Sequence, residues 1–113
     1  MAKVIHTNSA PAAVGPYSQA IDCGDLVFCS GQIPLVPETG AVVEGGIEAQ
    51  TRQIFANIQA VLSEAGLSLK NIVKTTVFMT DLGQFGAFND VSCVEISKLP
   101  KGVSVEIEVI AKR

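Results

Sequence analysis

Hydrophobic positions in this chain follow two periods, an alternation of two near both ends and a helical period of about 3.6 in the middle. Val103, Val105, Ile107 and Val109 alternate with Ser104, Glu106, Glu108 and Ile110. That pattern predicts a strand with one face for a core and with Glu106 and Glu108 on the other. Lys3 to His6 predicts a short first strand, and the Pro- and Gly-containing run Asn8 to Pro16 predicts a fixed loop after it. Gln19 to Cys23 and Leu26 to Gln32 flank Gly24-Asp25, the signature of a hairpin. Pro34 to Gly46, broken by prolines and glycines, is a loop that delivers the chain to a helix.

From Ile47 the apolar residues Ile54, Ile58, Val61 and Ala65 lie on one helical face, and Gly66 supplies the left-handed stop. Ile72 to Met79 is β-branched and apolar, with Lys74, Thr75 and Thr76 inside it, which predicts a strand with one wetter face. Asp81 offers an N-cap with Gln84 three positions on, so a second helix is predicted over Leu82 to Val91. Cys93 to Ser97 is a short strand, joined to the last one through the turn Leu99 to Gly102. The resulting expectation is an α/β (α+β) fold, one mixed sheet with both helices on a single face.

One join in this scheme is tight. A helix ending at Val91 and a strand starting at Cys93 leave only Ser92 to reverse the chain, where helix-to-strand loops take roughly 2 to 6 residues. Either the second layer is built differently from this scheme, or a segment between Val91 and Ser92 is missing from an otherwise single domain over residues 1–113.

Composition adds to this picture. Hydrophobic residues make up 48% of the chain and charged ones 17%, with a mean hydropathy of +0.39. One small sheet backed on one side leaves apolar surface to cover, so a homo-oligomer is expected. The net charge of −3 and the absence of any basic run give no electrostatic support to nucleic-acid binding. No apolar run approaches a membrane span or a signal-peptide core, which predicts a soluble, cytoplasmic protein. Cys23, Cys29 and Cys93 are odd in number and fit no metal-ligand spacing, in keeping with a reducing compartment and no metal.

Few residues stand out as chemistry. Glu106 lies on the polar face of the last strand, where it is either a solvated residue like Glu108 or a proton carrier beside a cleft. Tyr17, the single tyrosine, is either an aromatic lid over the core or a hydrogen-bond donor that closes a cleft. Ser30-Gly31 reads as a bulge, or as backbone that approaches a ligand without a Cβ in the way. His6 has no cysteine partner for nucleophilic catalysis, Arg52 reads as a helix-surface residue, and Gly45-Gly46 lacks the Walker pattern for an anion.

The ordered set Ala10-Pro11, Gly15-Pro16-Tyr17-Ser18-Gln19-Ala20, Ser30-Gly31-Gln32-Ile33-Pro34 and Val73 to Phe78 resembles the reactive-intermediate deaminase family, Rid or YjgF. Asp81-Leu82, Phe88-Asn89, Ser92-Cys93-Val94-Glu95, Leu99-Pro100-Lys101 and Val105 to Glu108 extend the resemblance over nearly the whole chain. It implies a chorismate-mutase-like fold assembled as a homotrimer, with sites in clefts between subunits. The implied activity is hydrolysis of 2-imino acids (2-iminopropanoate, 2-iminobutanoate) to 2-oxo acids and ammonia, with no cofactor. Glu106 would position the attacking water, and Tyr17, Ser30, Gly31, Asn89 and Cys93 would contact substrate. The family pattern also places an arginine that clamps the substrate carboxylate just before the Cys93 strand. This chain reads Asn89-Asp90-Val91-Ser92-Cys93 there, without it. Two alternatives follow from the same resemblance: a catalytically weak ligand-binding or chaperone-like trimer, and an endoribonuclease or translation inhibitor.

Overall fold

The computed structural model describes residues 2–12, 17–81, 92–95 and 99–113, with residues 92–95 described by their backbone. The elements run β1 (Lys3–Ile5), β2 (Ala20–Asp22), β3 (Leu26–Gln32), α1 (Ile47–Glu64), β4 (Ile72–Met79), β5 (Ser92–Glu95) and β6 (Val105–Lys112). They form one six-stranded sheet in the order β1-β2-β3-β6-β4-β5. Every pairing is antiparallel except β4 with β5, which is parallel. The β2–β3 hairpin turns at Gly24-Asp25 as the sequence predicts, with Gly24 at a φ of +97° and its N–H on Asp22 Oδ1 at 2.9 Å.

α1 forms because its apolar residues share one face and its end is sealed. Gly66, at a φ of +78°, lets its own N–H reach Ser63 O and lets the Leu67 N–H reach Leu62 O at 2.8 Å. These two bonds satisfy carbonyls the helix would otherwise leave open. Ile54, Ile58, Val61 and Leu62 are fully buried against Val27, Val77, Met79, Val105 and Ile107 of the sheet. Each such aliphatic side chain contributes about 1.5–3 kcal/mol when taken out of water. The opposite face of the sheet is different: Phe28 stands exposed there, at 43%.

Three expectations are corrected. The fold was expected to carry two helices on one face of the sheet; among the described residues there is a single α-helix, α1, and the predicted second helix, 82–91, lies outside them. The strand at Cys93 was expected to pair with the last strand across the Leu99–Gly102 turn. Instead β6 enters between β3 and β4, where both of its edges are bonded, and β5 takes the outer edge of β4. Boundaries also move: the last strand begins at Val105, because residues 99–104 pack as a turn and Val103 is buried in it.

Candidate active site

Strand β3 departs from regular pairing where the chemistry is expected. Cys29 pairs with Val109 and Gln32 with Ile107, so Ser30 and Gly31 together face the single residue Glu108. That is a β-bulge, which bends the strand and re-aims its side chains. The bulged residues also line a cavity of about 490 Å³. This volume lies in the range of roughly 300–1,000 Å³ common for small-molecule sites.

Glu106 of β6 forms one wall of the cavity beside Gly31. A Cβ built on Gly31 would lie 2.9 Å from both Cδ and Oε2 of Glu106. Only glycine lets the carboxylate rest where it does, and this requirement comes from contact with the side chain rather than from backbone conformation. Glu106 is half-buried. Burial, and after it the charge of Glu108, raise its pKa above the ordinary glutamate value. A carboxyl shifted in this direction is better matched to exchanging protons near neutral pH.

A second wall comes from the segment before β2. Gln19 is 3% exposed and acts as the organiser of that segment. Its Nε2 donates to Thr7 O at 3.0 Å and Pro11 O at 2.9 Å, while its Oε1 accepts from the Thr7 N–H at 2.7 Å. Pro11 and Ala12 are thereby held against the cavity. Ser30 Oγ donates to Ser18 O at 2.5 Å, so its proton is committed to the loop and its lone pairs are what it can offer a ligand. Tyr17 lines the cavity with 71% of its surface exposed, at the mouth rather than over the core.

The structure thus brings together Glu106, Tyr17, Ser30 and Gly31 of the residues predicted from sequence. Asn89 lies outside the described residues. Cys93 pairs with Val77 in β5, and its side chain lies outside the description. Gln19, Phe78, Lys101 and Glu108 also line the cavity and were not singled out as site residues. A glutamine inside an apolar strand pattern was a usable signal for Gln19. Phe78 and Glu108 carried none, because their placement depends on which strands β6 joins. No group of three or more His, Cys, Asp or Glu able to hold a metal occurs among the described residues. None of their helices is long and apolar enough to cross a membrane.

A single sheet backed by a helix, with a carboxylate-walled cavity of small-molecule size at a strand bulge, defines an α+β domain. The family described as endoribonuclease L-PSP matches residues 7–113. A 2-iminobutanoate/2-iminopropanoate deaminase of Salmonella typhimurium is 47% identical over 128 residues, covering 100% of this chain and 99% of that protein. Among solved structures, a Rid-family protein from Yersinia pestis superposes with a TM-score of 0.94 at 47% identity, covering 100% of both chains. TdcF of Escherichia coli, crystallised with bound serine, superposes at 0.91 with 41% identity and 98% of each chain covered. The chain belongs to this RidA/YjgF family. The Salmonella alignment spans 128 positions against the 113 residues here, which leaves 15 positions of that relative without a counterpart.

Proposed function

We propose that this protein hydrolyses reactive enamine/imine intermediates, 2-iminopropanoate and 2-iminobutanoate, to 2-oxo acids and ammonia. The observation that carries the reading is Glu106, half-buried beside Gly31 in a cavity sized for a small ligand, with its pKa raised by burial. Water adds to C2 of the imine as Glu106 accepts one of its protons and passes it to the nitrogen, giving a carbinolamine. Glu106 then takes the hydroxyl proton of that intermediate and returns it to the nitrogen as the C2–N bond breaks, the carbonyl forms and ammonia leaves. Both steps ask only for a positioned acid/base and a fixed substrate, which is what a rigid glutamate on a central strand supplies.

In this reading Tyr17 closes the mouth of the cavity, while the lone pairs of Ser30 and the backbone at Gly31 meet the substrate. Asn89 and Cys93 are assigned as further contacts by their match to the family pattern. The 15 unmatched positions are assigned to the join between Val91 and Ser92. The family's carboxylate-clamping arginine is assigned to that stretch, so turnover is expected to be weaker than in relatives that have it. A homotrimer covers the helix-free face where Phe28 is exposed. A reducing cytoplasm suits the free thiols of Cys23 and Cys29. The two glutamates of the cavity oppose the successive phosphates of an RNA backbone more than the single carboxylate of an imino acid, which favours deamination over ribonuclease action.

The test is to add the protein to a serine or threonine dehydratase reaction and follow disappearance of the imine. Faster decay that is lost in Glu106→Gln is expected. Decay unchanged by folded protein rejects the reading and leaves the ligand-binding alternative.

A further inference from the structure

The cavity wall holds two carboxylates, Glu106 and Glu108, and among its described residues one cation, Lys101. Lys101 is the third residue of a four-residue turn closed by the Gly102 N–H donating to Leu99 O at 3.2 Å. Its φ of 56° and ψ of 20° place it in the left-handed region, where it is the one non-glycine among the described residues. A turn with proline second and a left-handed third residue normally takes Gly or Asn at that third place. Lysine gains nothing locally from this backbone. Such strain persists where the surroundings fix it, and it gathers at functional positions.

The surroundings do fix it. Leu99 and Val103 are buried on either side, at 7% and 2% exposure. The Ser104 N–H donates to Gln50 Oε1 of α1 at 3.0 Å, and the Thr80 N–H donates to Ser104 O at 3.2 Å. The backbone flanking Lys101 is tied to α1 and to the end of β4, while the lysine itself is exposed at the cavity.

We propose that Lys101 is a substrate-binding residue, whose ammonium receives the carboxylate of the 2-oxo or 2-imino acid and keeps it in the cavity walled by Glu106. The proposal takes its ligand class from the deaminase reading and rests on it. An anionic substrate in a cavity lined by Glu106 and Glu108 meets charge of its own sign, and the one cation of the described wall offsets this. A lysine makes the contact as a mobile point charge rather than a fixed fork, so a replacement cation of similar reach is tolerated.

The experiment titrates 2-oxobutanoate, and the neutral 2-oxobutanamide as comparison, into the unsubstituted protein and into Lys101→Met, Lys101→Arg and Lys101→Gly by calorimetry. Lys101→Met is expected to weaken 2-oxobutanoate by about 10- to 100-fold, the worth of one charge-assisted contact. It should leave the amide unchanged, and Lys101→Arg should stay within a few-fold of the unsubstituted protein. Lys101→Gly removes the strain with the charge, so it should melt higher while binding the acid as weakly as Lys101→Met. That combination separates lost contact from lost folding. In turnover, KM should rise more than kcat falls. Unaltered 2-oxobutanoate affinity in Lys101→Met, or equal loss of acid and amide, overturns the assignment while the deaminase reading stands. An unsubstituted protein that neither binds 2-oxobutanoate nor speeds imine decay overturns that reading, and the Lys101 assignment with it.

Discussion

Replacing Gly31 by alanine isolates the position of one carboxylate. The new Cβ would lie 2.9 Å from Cδ and Oε2 of Glu106 and 3.2 Å from its Cγ. Carbon contacts settle near 3.5–4.0 Å, so the Glu106 head must retreat by roughly 0.5–1 Å. The colliding atoms belong to the far end of a flexible side chain, which makes the retreat cheap for folding. Gly31 also lies outside the left-handed region, so alanine gains the usual entropic advantage over glycine in the unfolded chain. Stability should therefore change by less than about 1 kcal/mol. Catalysis is less forgiving, because a displacement of about 1 Å at the reacting groups costs up to about 100-fold. In a dehydratase-coupled imine assay Gly31→Ala should run about 10- to 100-fold slower than the unsubstituted protein, with its melting temperature nearly unchanged. Adding Gly31→Ala to Glu106→Gln should cost little more, since the displaced group is already neutralised. An unimpaired rate in Gly31→Ala, or two losses that simply add, would refute the reasoning.

Other predictions follow from single observations. Glu106 has its pKa raised by burial and then by Glu108, and a carboxyl so shifted stabilises the fold only below its unfolded value, an effect lost as pH rises through the folded one. Glu106→Gln should therefore be more stable than the unsubstituted protein at pH 7, with the gain vanishing below about pH 4 in denaturant titrations. Gln19→Leu strands the Thr7 N–H and the Pro11 carbonyl that Gln19 now satisfies; a loss of about 2–3 kcal/mol is expected, with faster hydrogen exchange at Thr7. The Cys29 thiol is buried and pushed up to about 11, while Cys23 is exposed. Mass mapping after brief alkylation at pH 8 should find Cys23 modified and Cys29 intact until the protein is unfolded.

What could be read from the sequence was local. The face of α1 and its end at Gly66, the hairpin at Gly24-Asp25 and the limits of β4 at Ile72 and Met79 all follow from the period of apolar residues and the conformations glycine permits. Glu106 could be placed on the polar face of its strand for the same reason. Tertiary structure decided the rest. Alternation says that β6 is a strand but not that it lies between β3 and β4, because its partners come from segments far apart in the chain. That placement sets Glu106 beside Gly31, puts Phe78 opposite it in register and makes Ser30-Gly31 a bulge at a cavity. It also brings the strained turn of Lys101 to the cavity that Glu106 and Glu108 line. A side chain's period belongs to its neighbours in sequence, whereas a site belongs to neighbours in space, and only backbone pairing across the whole sheet brings those together.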